Sequence, residues 1–299
     1  MKKAPLLVTL ALAWSLGGIP SASAQELTWA SFQGYDVPFV PTPPEVVGEM
    51  LRLAGVKAGD VLYDLGCGDG RIVIEAARRY GIRAIGIDID PTRIRESNEN
   101  AAGAGLAGKV RFIRQNLFEA DFRDATVVTM YLLTSVNLRL RPKLLAELKP
   151  GTRLVSHSFG MDEWRPDKTS VVATSFGDER GLYFWIVPAN VSGRWEWDLG
   201  AGAGRKHCVL EASQQFQDVT VSAREGKRLL AASDVRLAGD LIGFRLEAAA
   251  PGRAPFDVYE GRVAGDKITG TVRPDGADKS AAVAWIAKRD HRTVESIAK

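Results

Sequence analysis

Between residues 61 and 157 short apolar runs alternate with amphipathic stretches. Residues 61–64, 84–88, 110–114, 126–131 and 152–157 read as strands, and residues 71–80, 91–104 and 142–148 carry helical periodicity. Such alternation predicts an α/β domain with a doubly wound, mostly parallel sheet and helices on both faces. Upstream, Thr42-Pro43-Pro44-Glu45 precedes an apolar face of Val46, Val47, Met50, Leu51 and Ala54. The spacing predicts a helix with Thr42 as its cap and Glu45 completing a capping box. Past Pro188 the helical period fades, and short alternating runs follow at 194–198, 207–212, 219–223, 241–246, 258–263, 267–272 and 282–287. One segment echoes itself: Arg236-Leu237-Ala238-Gly239-Asp240 returns as Arg262-Val263-Ala264-Gly265-Asp266, with Gly-Asp as a hairpin-turn signal. The division expected is a leader at 1–24, an α/β domain at 25–190, and a small all-β antiparallel barrel or sandwich at 191–299. Trp195, Trp197 and Trp285 are expected to fill the core of that last unit rather than line a pocket.

The densest chemistry lies at the first strand. Asp64-Leu65-Gly66-Cys67-Gly68-Asp69-Gly70 sets three glycines at alternate positions directly before a helical stretch. A dinucleotide turn is Gly-x-Gly-x-x-Gly and receives a pyrophosphate. Here the third glycine comes one residue early, and an acid stands two residues before the first. That acid would repel a pyrophosphate and pair with a ligand ammonium. Helix N–H groups are expected to point at the same place. The second strand ends in Asp88, 22 residues after Gly66, where a carboxylate can accept from two ribose hydroxyls.

Turn, acid and spacing together resemble the first motif of class I S-adenosylmethionine-dependent methyltransferases. Pro38-Phe39-Val40-Pro41-Thr42-Pro43 and Asp124-Ala125-Thr126-Val127-Val128-Thr129-Met130-Tyr131 narrow the resemblance to the non-SET, histone-methyltransferase-like group, which includes lysine methyltransferases acting on an ATP-synthase subunit. The resemblance covers roughly residues 36–165 and implies S-adenosyl-L-methionine as cofactor. It implies a cradle of Asp64, Gly66, Gly68, Gly70 and Asp88, with Asn116 where relatives carry an acid near the adenine amine. It also implies that Tyr35, Phe39 and Thr42 lie over the cofactor as a lid. After the fourth strand this chain has Tyr131-Leu132-Leu133 and lacks the Asn/Asp-Pro-Pro-Tyr/Phe cage of amine methyltransferases. Tyr131 is a candidate for orienting the acceptor, and His157 for a base; rim packing and a structural histidine are the plain readings of the same residues.

Composition narrows the setting. Lys2 and Lys3, an apolar stretch from Ala4 to Trp14, and Ala22-Ser23-Ala24 have the three parts of a secretory signal peptide. The stretch falls short of the ~20 residues of a membrane span, so cleavage after Ala24, a secreted or periplasmic protein and no remaining span are expected. Losing both lysines takes the net charge from +3 to +1, which argues against a nucleic-acid partner. Cys67 and Cys208 are expected to stay unpaired, and three scattered histidines predict no metal. The expected activity is methyl transfer from S-adenosylmethionine to an acceptor, protein or small molecule, with a protein lysine amine favoured by the resemblance. The competing expectation is a catalytically silent methyltransferase-fold binding protein of the cell envelope.

Overall fold

The computed structural model describes residues 36–199, 206–247 and 256–297. The leader, Trp29, Phe32 and the expected lid residue Tyr35 lie outside the described residues. The first helix, α1, spans Pro44–Leu53. Alternating elements follow: β1 Val61–Leu65, α2 Arg71–Tyr80, β2 Arg83–Asp88, α3 Pro91–Gly103, β3 Val110–Arg114, β4 Val127–Met130, α4 Thr134–Glu147 and β5 Arg153–His157. A hairpin of β6 (Lys168–Ala173) and β7 (Glu179–Ile186) completes a seven-stranded sheet ordered β3-β2-β1-β4-β5-β7-β6. Strands β1 to β5 run parallel, and β7 lies antiparallel between β5 and β6. All five parallel strands leave the sheet on one edge, where ligands bind in such folds.

Alternation along the strands divides the apolar core between two faces. Leu62, Ala84, Val127 and Val155 join Val46, Val47 and Met50 of α1 and Val73 and Ala76 of α2 in one cluster. The other face holds α4, whose Lys143 Nζ lies 5.2 Å from the Phe122 ring centroid, while Tyr63 meets that ring at 6.5 Å. At the bottom edge, buried Asp60 pairs with Arg153 and accepts from Thr126 Oγ1 at 2.8 Å. Arg153 also donates to the carbonyls of Ala54 and Gly55, which ties the end of α1 to the sheet.

Three local expectations are corrected. The N-cap of α1 is Pro43 and receives no side-chain bond. Thr42 turns its hydroxyl inward, and Glu45 accepts from the Ser175 N–H at 3.1 Å, so no capping box forms. Helix α4 begins at Thr134, eight residues before the expected start. Pro142 sits in its interior rather than its first turn, because the buried stripe Val136, Leu140 and Leu144 outweighs the one hydrogen bond that proline removes. The amides at the start of α2 do not all point to a ligand, since the Arg71 N–H is taken by Asp69.

The second sheet begins at β8 (Gly193–Leu199) and continues through β9 Lys206–Gln215, β10 Asp218–Glu225, β11 Arg228–Leu230, β12 Ala232–Ala238, β13 Leu241–Glu247, β14 Phe256–Ala264, β15 Lys267–Pro274 and β16 Val283–Arg289. Its order is β11-β10-β9-β8-β16-β15-β14-β13-β12. Its two outermost strands are joined through the single residue Ala231, so the sheet curls into a nearly closed antiparallel barrel. Both echoed Gly-Asp pairs form two-residue hairpin loops, with Gly239 at φ 59° and Gly265 at φ 58°. Trp197, Phe244, Tyr259 and Trp285 pack together inside, with ring centroids 4.9–6.4 Å apart. Trp195 is buried as well, so the three tryptophans fill the core. The barrel abuts the first sheet where Ala189 N–H donates to the Gly239 carbonyl at 2.8 Å. A Cβ on Gly239 would stand 2.9 Å from the Gly151 Cα, so the echo's glycine also permits this close approach.

Candidate functional site

The glycine turn is closed upon itself. Gly66 and Cys67 both donate to the Ile87 carbonyl, at 2.9 and 3.0 Å, and Gly70 donates to the Cys67 carbonyl at 2.9 Å. Gly68 donates to Asp88 Oδ2 at 2.9 Å. These amides have protein partners and do not form a nest for phosphate. The turn offers no set of free anion-binding donors, in keeping with its spacing. Gly66, Gly68 and Gly70 adopt φ of 78°, 53° and 79°, which glycine tolerates without strain. A Cβ at Gly66 would meet Leu132 Cδ2 at 2.7 Å, one at Gly70 would meet Phe112 Cζ at 2.6 Å, and one at Gly68 would run into the Phe39 ring. Phe39 thus lies on the turn, and the Arg93 guanidinium stands 4.4 Å from its ring centroid.

Asp64 is buried at the upper end of β1 and accepts from Thr129 Oγ1 at 2.7 Å. Burial pushes its carboxyl up to about 7, against the hydroxyl bond and with help from the charges of Asp88 and Asp69. Asp88 ends β2, half-buried, and accepts from Gly68 and from the Asp90 N–H at 3.0 Å. Burial raises it too, opposed by those backbone bonds. Each bonded carboxylate oxygen keeps a second lone pair, so Asp88 can tie the turn to β2 and still accept from a ribose. Ile89 follows it and is 46% exposed; an apolar side chain standing free beside that acid can cover a flat base. Asn116 spends its side-chain oxygen on the Phe118 N–H at 3.1 Å and its amide on Glu119 at 3.4 Å. Asp69 braces the turn through a 2.6 Å ion pair with Arg71, whose other arm donates to the Thr42 carbonyl at 2.8 Å.

Thr42, Tyr131 and His157 come together. By strand alternation Asp64, Thr129, Tyr131 and His157 point to the face that carries α1, and Tyr131 and His157 follow the paired residues Met130 and Ser156. The Thr42 hydroxyl lies 3.3 Å from His157 Nδ1, and the Tyr131 ring lies over the imidazole with centroids 3.8 Å apart. His157 has no exposed surface, and its Nε2 has no hydrogen-bond partner. Burial, with the Arg180 cation nearby, lowers it to about 4, so it is neutral at physiological pH. Burial raises the Tyr131 phenol, which stays protonated. Thr42, just ahead of α1, is therefore pinned twice, at its carbonyl by Arg71 and at its hydroxyl by His157. Thr129, Leu132, Arg71 and Ile89 escaped sequence reasoning. Only Ile89, an apolar residue directly after a strand-ending acid, leaves a local signal.

The acid at the foot of the turn, the carboxylate 22 residues after Gly66 and the tight glycine turn between them fit a ligand with an ammonium group, a ribose and a flat base, which is S-adenosylmethionine. A family model described as the ANTKMT methyltransferase domain matches residues 64–168. A protein-lysine N-methyltransferase of Saccharolobus islandicus is 52% identical over 153 residues, which are 50% of this chain and 94% of that relative. An adenine nucleotide translocase lysine N-methyltransferase of Mus musculus is 37% identical over 131 residues, 44% of this chain and 56% of the mouse protein. This chain thus spans little more than half the mouse protein's length. A crystal structure of an RNA methyltransferase from Salinibacter ruber in complex with S-adenosyl-L-homocysteine is 52% identical and matches over 51% of this chain and 96% of that one, with a TM-score of 0.48. Both relatives' names state methyl transfer to lysine, and a catalytically silent binding protein finds no support among them.

Proposed function

This chain belongs to the S-adenosylmethionine-dependent methyltransferases, in the family of the protein-lysine N-methyltransferases, and from that premise we propose that its acceptor is a lysine side chain of an envelope or exported protein. The observation that carries the lysine is the 52% identity to a protein-lysine N-methyltransferase across nearly its whole length. The mouth is compatible with it. An amine must arrive neutral at the methyl group, and the Tyr131 phenol that borders the mouth and the buried His157 imidazole behind it carry no charge at pH 7. The location outside the cytoplasm rests on the three-part leader.

The cofactor supplies a methyl group already activated on a sulfonium, so the protein's task is alignment and exclusion of water. In this reading Asp64 pairs with the ligand's ammonium, Gly66 and Gly68 let it lie along the backbone, Gly70 lets the turn pack against Phe112, and Asp88 holds the ribose. Asn116 keeps lone-pair capacity toward the base but no charge. His157 is a poor base, because it is buried and titrates near pH 4; its role is to hold Thr42 and support Tyr131. The acceptor's proton is then lost to water before the amine enters, while the Tyr131 ring borders its path.

The test is transfer of tritiated methyl from S-adenosylmethionine into an envelope extract of cells lacking the gene, followed by acid hydrolysis. Label in methyl-lysine is expected. Label confined to RNA, lipid or another amino acid would refute the acceptor.

A further inference from the structure

The loop between β9 and β10 contains only two residues, Phe216 and Gln217, between the paired Gln215 and Asp218. Phe216 has φ 52°, and Gln217 is not among the positive-φ residues. In such a loop the first position favours glycine, and a bulky aromatic there is an outlier that calls for a reason. The reason lies in what the ring touches. Phe216 is 2% exposed and stacks on Trp164, with centroids 5.9 Å apart and planes within 13°. The Arg141 guanidinium, from α4, covers it at 5.0 Å. Beside it Gln217 Nε2 donates to the Arg165 carbonyl at 2.7 Å, and Arg165 pairs with Asp218 at 2.7 Å. The barrel therefore inserts an aromatic peg into the segment that follows β5.

That segment borders the acceptor side of the mouth. It leaves β5 at His157 and contains Ser158 and Asp162, both at positive φ (61° and 48°). Phe159 lies along Tyr131, with centroids 6.0 Å apart. Asn137 donates to the carbonyls of Phe159 and Gly160, each at 3.2 Å, and Arg141 donates to the Met161 carbonyl at 2.9 Å. One guanidinium thus binds both the peg and the segment that it props. The archaeal relative is matched over 94% of its length by half of this chain, so the catalytic half occurs elsewhere without a barrel. The contact is one that this chain adds.

We propose that the β9–β10 hairpin is a positioning element of the methyl-transfer site, with Phe216 holding residues 158–165 so that Phe159 backs Tyr131 where the acceptor enters. Phe216 touches neither cofactor nor acceptor. The proposal rests on the assignment of Tyr131 to the acceptor side, and its first readout needs no acceptor.

The experiment compares the full chain with Phe216→Gly, which suits the positive φ and removes the ring, and Phe216→Tyr, which keeps it. Both should melt cooperatively and bind S-adenosylhomocysteine within about twofold of the parent. Amide exchange across residues 158–165 should be at least about tenfold faster in Phe216→Gly and near parental in Phe216→Tyr. With poly-L-lysine as acceptor probe, KM for the probe should rise severalfold in Phe216→Gly at unchanged KM for S-adenosylmethionine, and Phe216→Tyr should restore it. Unchanged exchange in a folded Phe216→Gly protein overturns the proposal. So does an equal loss of S-adenosylhomocysteine affinity, which would signal general loosening. A parent protein that labels no lysine refutes the acceptor reading alone, while the exchange comparison still decides the role of Phe216.

Discussion

Asp64 is a carboxyl held near neutrality by burial, and a bound cation changes its balance. In the free protein its pKa of about 7 lies above the ordinary value near 4. The folded state therefore binds that proton more tightly than the unfolded chain, and the stability it contributes is lost as pH rises from about 4 to 7. The ligand's ammonium favours the ionised form. Affinity for S-adenosylhomocysteine should consequently rise with pH, roughly tenfold between pH 6 and pH 8. Calorimetric titration at several pH values checks this, and Asp64→Asn should bind more weakly with a flatter profile. An Asp64→Asn variant that keeps the parental slope would show that another group titrates. Asp64 stands out in the sequence as a candidate because an acid, three glycines and a second acid sit in fixed local register. Its partner Thr129 does not, because 65 residues and a strand pairing separate them.

Helix α2 is bounded by two left-handed glycines whose surroundings differ. At Gly81 (φ 63°) no atom lies within 4 Å of an added Cβ, whereas at Gly70 (φ 79°) Phe112 and Ser97 would lie within 2.9 Å. Gly81→Ala should cost about 1 kcal/mol, the backbone term alone. Gly70→Ala should cost roughly 2–4 kcal/mol, because overpacking adds to it. Paired thermal or urea melts check the difference, and equal costs would show that Phe112 yields freely. At this scale the parallel strands β1 to β5 and α2 were readable from their apolar runs, whereas β11 and β12, short or with mixed exposure, were not. The start of α4 was misread because an interior proline has the same local sequence as a first-turn proline. The β6–β7 hairpin was missed because β6 is an edge strand whose exposed Thr169, Val171 and Ala173 give little contrast between its faces. Thr42 looked like a cap because its competitor, His157, is 115 residues away.

For the whole molecule, the change of architecture near Pro188 was visible as a change of period, and the described structure changes sheets between Ile186 and Gly193. The contact between the sheets was not visible, since Phe216 falls between the expected runs 207–212 and 219–223 and nothing local marks its distant partner Trp164. Among the described residues no helix is long and apolar enough to cross a membrane. We propose that the leader directs export and is removed after Ala24. Protein recovered from intact cells should begin at Gln25 and lie outside the cytoplasm. N-terminal sequencing of fractionated cells checks this, and a cytoplasmic product that keeps Met1 would sink it.

Two free, buried cysteines stand one beside each sheet core, Cys67 in the glycine turn after β1 and Cys208 in β9 of the barrel. Burial raises both thiols, Cys208 to about 11, so in the closed state little thiolate exists to react. A thiol reagent can modify either residue only when its surroundings open. At low reagent concentration the rate of modification then counts how often that part of the molecule opens. The protein thus carries two native chemical clocks, one beside the cofactor cradle and one in the barrel, that can be read separately by mass. Bound S-adenosylhomocysteine should slow the clock at Cys67 more than the one at Cys208, and the ratio measures how far the ligand's hold on the turn reaches into the barrel.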